Sequence, residues 1–109
     1  MTSRDERVAA NEALFRDVNE RVADIMAELG DVAGSLEVFC ECGDHDCMEK
    51  LTVERFMYEK VRENATQFLV LPGHEVPEVE MVVDERERLL VVQKVGEAAS
   101  VARITDPRG

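Results

Sequence analysis

The chain has 109 residues, 45% of them hydrophobic, and a formal net charge of -11. That length suits one domain with a modest core, and the apolar share excludes wholesale disorder. The acidic balance excludes nucleic-acid binding through phosphate contacts, which needs clustered Lys and Arg, and no stretch approaches the about 20 apolar residues of a membrane span.

The start, "MTSRDER", is charged with no apolar core behind it. No secretory signal is expected there, and the cytoplasm is the expected compartment. "SRDE", Ser3 to Glu6, fits a helix capping box. Phe15, Val18, Val22, Ile25 and Leu29 then recur at steps of three and four, with Leu14 and Met26 widening the stripe. This predicts a helix over residues 4–29, stopped by Gly30 and roughly 39 Å long at 1.5 Å per residue. A helix of that length invites a second copy to cover its stripe, so a homodimer through it is one expectation.

"SLEVFC", Ser35 to Cys40, alternates and reads as a strand, and "MEKLTV", Met48 to Val53, as its return. Thr52 is placed to cap a helix through "VERFMYEKVREN", with Val53, Phe56, Met57 and Val61 on one face. Gln67 to Leu71 reads as a buried strand ended by the Pro72-Gly73 turn. Pro77 suits the first position of a short helix, "PEVEMVVDE". Arg88 to Val95 is the last predicted strand, and Gly96 opens a helical tail ending in "TDPRG". The expected class is α+β: a long N-terminal helix, a small sheet of three or four strands with short helices, and a metal-stapled loop. Residues 1–109 are expected to form a single domain, with the helix at 4–29 and a metal-binding α+β part at 35–104.

The stretch "FCECGDHDCMEK" holds all three cysteines. Cys40 and Cys42 stand too close for an unstrained disulfide, and a reducing cytosol disfavours one. The set Cys40-x-Cys42-x4-Cys47 reads instead as three metal-ligating thiolates, with Gly43 permitting the tight turn. A tetrahedral site needs a fourth ligand, and the chain has two histidines, His45 and His74. Using His45 would crowd all four ligands into one loop. His74, in the turn of "LPGHE", can reach the loop from a neighbouring strand end. The expected ligands are therefore Cys40, Cys42, Cys47 and His74, with His45 as the alternative. Zinc is the expected metal, and an iron–sulfur cluster the alternative, since three cysteines and one histidine can hold either. The CDGSH iron–sulfur family is similar only in its C-x-C start and Cys3His count, and "CMEK" departs from its pattern.

"CECG" with a later cysteine, then "LPGHE" and "VVQK", together resemble a family of small uncharacterised actinobacterial Cys/His proteins. The likeness extends through "FRDVNERV" and the "TDPR" tail over most of the chain. The resemblance implies that the cysteine loop and the His74 turn belong to one constellation and that the origin is bacterial. It implies no substrate.

The motifs HExxH, H-x-E with P-C-x-x-C, and the phosphate-binding loop are absent, and no catalytic residue is assigned. The reading that follows is a small cytosolic zinc-binding protein with a structural Cys3His site, acting as an acidic protein-interaction or regulatory module. One alternative is an iron–sulfur or thiol-based redox or sensor protein, although the acids Glu41, Asp44 and Asp46 beside the thiols oppose thiolate formation. Another is a zinc hydrolase in which His74 is no ligand and Glu41 or Glu75 is the general base.

Overall fold

The computed structural model describes residues 3–30, 34–44 and 46–108, with side chains from Arg7 onward. The elements are α1 (Ser3–Glu28), β1 (Ser35–Phe39), β2 (Lys50–Glu54), α2 (Arg55–Arg62), β3 (Gln67–Val70), β4 (Glu80–Arg86), β5 (Leu89–Lys94) and α3 (Gly96–Ile104). The class is α+β, as expected. The strands form two antiparallel sheets rather than one: the hairpin β1-β2 and the sheet β3-β5-β4. No helix among the described residues is long and apolar enough to cross a membrane.

β5 explains why the three-stranded sheet is central. Leu89, Leu90, Val91 and Val92 are all buried, the pattern of a strand covered on both faces. Leu89 and Val91 pack with Leu36, Val38, Leu51 and Val53 of the hairpin and with Tyr58 and Val61 of α2. Leu90 and Val92 pack, with Phe68 and Val70 of β3, against the three cysteines and Ala102 of α3. The cysteine loop is thus the cover of one sheet face.

Helix α1, 26 residues and about 39 Å long, is comparable in length with the 42 Å longest extent of the molecule. The expected capping box at Ser3 and Glu6 lies outside the described side chains. The expected inner stripe is corrected in part: Phe15, Val18, Val22 and Met26 are half-buried, but Leu14 and Ile25 are each 55% exposed and Leu29 75%. The face turned inward carries Glu12, Arg16, Asn19 and Ala23, all buried. Polar side chains sit there because α1 crosses strand ends and loops, whose backbone groups need partners once buried. Arg16 donates to the carbonyls of Ala65 (2.5 Å) and Ala102 (2.7 Å), and its guanidinium lies 4.4 Å from the Phe68 ring centroid.

Glu12 and Glu80 both pair with buried Lys94. Burial pushes the Glu12 carboxyl up to about 7, against the opposing pull of Lys94, with Glu80 and Cys42 also raising it. The folded state therefore holds this proton more tightly than the unfolded chain. Glu12's contribution to stability falls as pH rises from its ordinary value of 4.5 toward about 7. Urea melts at pH 5 and pH 7.5 check this: the advantage of wild type over Glu12→Gln shrinks at the higher pH.

Two further expectations are corrected. The predicted helix from Pro77 is instead the strand β4, entered through a turn at residues 77–79. Its register with β5 shifts between Val82 and Asp84, and this bulge breaks the period-two pattern by which a strand is recognised. The predicted helix from Val53 starts later, at Arg55, because Thr52 and Val53 pair with Glu37 and Leu36 in the hairpin. The Glu54 N-cap makes no side-chain capping bond, and the buried residues of α2 are Tyr58, Val61 and Arg62. Phe56, expected on the inner face, is 71% exposed.

Candidate metal centre

Cys40 directly follows β1, and its amide donates to the Glu49 carbonyl (2.9 Å), extending the hairpin by one rung. The loop then turns back through a bond from the Cys47 amide to the Asp44 carbonyl (3.0 Å). Both ends of the cysteine loop are therefore held by the β1-β2 register. All three cysteines are buried and none forms a disulfide. His74 comes from another sheet. It follows β3 in a turn closed by its amide on the Leu71 carbonyl (3.0 Å). Gly73 in this turn has φ of 91°, the left-handed region that glycine enters without strain.

The turn meets the loop because residues 40–41 run along the free edge of β3. The Glu41 amide donates to the Leu69 carbonyl (2.8 Å), and the Leu71 amide to Cys40 Sγ (3.3 Å). This brings together the four residues expected from the sequence. One ligand atom from each of Cys40, Cys42, Cys47 and His74 lies within 4.8 Å of every other. His74 Nδ1 stands 3.6 Å from both Cys40 Sγ and Cys47 Sγ. A tetrahedral ion with the usual zinc–sulfur and zinc–nitrogen bonds has a sulfur–nitrogen edge of about 3.6 Å, so the side chains fit one such ion. His45 lies outside the described residues.

The donors around the sulfurs are those thiolates use. Cys40 accepts from the amides of Leu71 and Cys42, Cys42 from Asp44, and Cys47 from Glu49. Each sulfur thus accepts from the amide two positions on, and bonds to the charged form favour it. Three thiolates side by side still repel one another. Of the three, Cys42 has its pKa lowered to about 5, chiefly by the hydrogen bond from the Cys40 thiol and further by His74 and the Asp44 amide. Cys40 is pushed well above the ordinary thiol range by that same bond and by burial, and Cys47 is pushed up, chiefly by burial. A divalent cation is what lets all three ionise together.

Two candidates for a general base have structural partners instead. Glu75 Oε1 accepts the Gly73 amide (2.7 Å) and steadies the turn. Glu41 is fully buried. Its Oε1 accepts from Arg62 Nη2 (2.7 Å) and the Leu69 amide (3.0 Å), and its Oε2 from Asn19 Nδ2 (2.7 Å). Asn19 also bonds the carbonyl and the amide of Phe39, each at 2.8 Å. This network braces the backbone on either side of Cys40. Sequence reading placed Glu41 among the loop acids and did not find Asn19 or Arg62, because their only mark is the three- and four-residue spacing of polar groups on helices.

Gly43, at a bend in the loop, has a packing role besides the expected tight turn. A Cβ there would lie 2.2 Å from Val8 Cγ1 and 3.3 Å from Val8 Cα. α1 therefore rests directly on the cysteine loop, and Asn11 Nδ2 adds a bond to the Gly43 carbonyl (3.2 Å). Gly43→Ala is expected to cost about 1–3 kcal/mol by overpacking. Thermal melts of Gly43→Ala with and without Val8→Ala check this, since removing Cγ1 should restore much of the loss. Beside the contact, a cleft of about 1000 Å³ reaches Cys42 and His74 between the start of α1 and the two loops. No family model, curated protein or solved structure matches this chain.

Proposed function

We propose that the chain is a small cytoplasmic zinc protein, with Cys40, Cys42, Cys47 and His74 holding one structural zinc ion, that serves as an acidic protein-interaction or regulatory module. The observation that carries the reading is the convergence of four soft ligand atoms, every pair within 4.8 Å. A two-iron cluster divides its ligands between two irons, so ligands on opposite irons stand farther apart than those of a single ion. The tight set favours the single ion. Zinc at this site supplies the positive charge that three neighbouring thiolates require. The chain's residues do the rest: the amides of Cys42, Asp44, Glu49 and Leu71 hold the sulfurs, and the Gly73 turn presents His74 Nδ1.

The structural rather than catalytic role follows from the fully protein-derived ligand set, which leaves no open position. It also follows from the prior engagement of Glu41 and Glu75. With a small core on each sheet face, a metal that ties the hairpin loop to the β3-β4 turn supplies what burial alone does not.

Elemental analysis and a visible spectrum on one sample prepared without oxygen test the reading. About one zinc per chain and no visible absorbance are expected. Iron with visible absorbance would replace it with a redox or sensing protein, and absence of any bound metal would overturn it.

A further inference from the structure

On the sheet face opposite the cysteines, a cavity of about 810 Å³ lies between α2 and β4. Buried Leu89 and Val91 form its floor. Phe56 and Val83 stand over it, 71% and 44% exposed. An exposed phenyl ring on a short helix does nothing for the core, and aromatic side chains in such positions anchor partners. The β4 bulge falls at Val83, in the wall of the same groove.

The rim is acidic. Glu54, Glu63 and Glu87 line it, and their carboxylates have no hydrogen-bond or ion-pair partner among the described residues. The rim cations are engaged: Arg86 Nε pairs with Asp84 (3.1 Å), and Lys60 Nζ lies 5.3 Å from the Phe56 ring centroid. Finally, β4 is an edge strand, with β5 as its single neighbour in the sheet, and its outer amides and carbonyls form a template for an extended chain.

We propose that this groove binds a short, extended, basic segment of a partner protein. An apolar residue of the segment packs on Phe56 and Val83, and its Lys or Arg side chains face Glu54, Glu63 and Glu87. A second copy of this chain is a poor occupant, because it brings a further net charge of -11 to an acidic rim. The inference rests on the reading of the chain as an interaction module.

The test titrates metal-loaded, nitrogen-15-labelled protein with the peptide Lys-Val-Lys-Leu-Lys-Val-Lys and with its counterpart carrying Glu for Lys. The basic peptide is expected to shift the amides of residues 54–64 and 81–91, and the acidic one to leave them in place. Phe56→Ala is expected to weaken binding about ten-fold or more without moving the melting temperature. The double variant Glu63→Lys, Glu87→Lys is expected to weaken it and flatten its salt dependence. Shifts scattered over the whole acidic surface, equal binding by Phe56→Ala, or groove amides that move on dilution of a dimer would overturn the proposal. Elemental analysis of the same sample separates the two failures. Metal-loaded protein that ignores the peptide overturns the groove alone, whereas metal-free protein overturns the zinc reading.

Discussion

Cys40→Ser is expected to abolish metal binding and, with it, cooperative thermal unfolding of the cysteine-loop half of the protein. Cys40 is fully buried, between the end of β1 and the edge of β3. Its sulfur is approached by His74 Nδ1 at 3.6 Å. A hydroxyl there is a poor ligand, and it leaves Cys42, Cys47 and His74 as an incomplete set. Structural zinc contributes about 10–16 kcal/mol in small domains at neutral pH, which matches or exceeds a typical net folding stability of about 5–15 kcal/mol. The variant should therefore lose most of its folded population, as should wild type in strong chelator. Because the thiols must shed protons to bind, chelator should act faster at pH 6 than at pH 8. Circular dichroism melts with elemental analysis decide the matter. A Cys40→Ser protein that keeps one metal ion and melts within a few degrees of wild type would remove Cys40 from the ligand set.

Glu41→Ala should be the most destabilising change outside the ligands, at about 3–5 kcal/mol. The carboxylate answers the Arg62 guanidinium, whose side chain is 1% exposed. Arg62 reaches Glu41 through Nη2, while its Nε and Nη1 have no hydrogen-bond partner among the described residues, so the loss of Glu41 strands a buried charge. The same substitution frees the Leu69 amide and one arm of Asn19. Arg62→Met alone should cost a similar amount, and the double variant distinctly less than the sum, because each single change leaves the other partner uncompensated. Urea melts on metal-loaded samples of all four proteins measure the coupling. Strict additivity would show that the pair contributes nothing as a pair.

The Cys3His cluster was legible because residues able to ligate a metal are marked by type and short spacing. C-x-C with a third cysteine and a histidine after Pro-Gly carry that chemistry whatever surrounds them. β5 was legible for a related reason: four consecutive apolar residues from Leu89 to Val92 describe a strand buried on both faces. β4 was not, because it is an edge strand with Met81, Val82 and Val83 all exposed and a bulge among them, so no face alternates. The inner face of α1 was hidden by the usual assumption that apolar residues point inward. Here Glu12, Arg16 and Asn19 go inward to answer Lys94, the Ala65 and Ala102 carbonyls and the Phe39 backbone, partners that only the tertiary fold brings near.

That inward face also bears on how the protein is made. Arg16 bonds a carbonyl 86 residues further along the chain, and Glu12 pairs with a lysine 82 residues away. At about 5–20 residues per second, translation delivers those partners roughly 4–17 s after the helix itself leaves the ribosome. During that interval α1 has nothing to bury its charges against. The fold should therefore close late and all at once, on arrival of β5 and α3, and nascent chains cut short before Lys94 should remain sensitive to protease however much zinc is supplied.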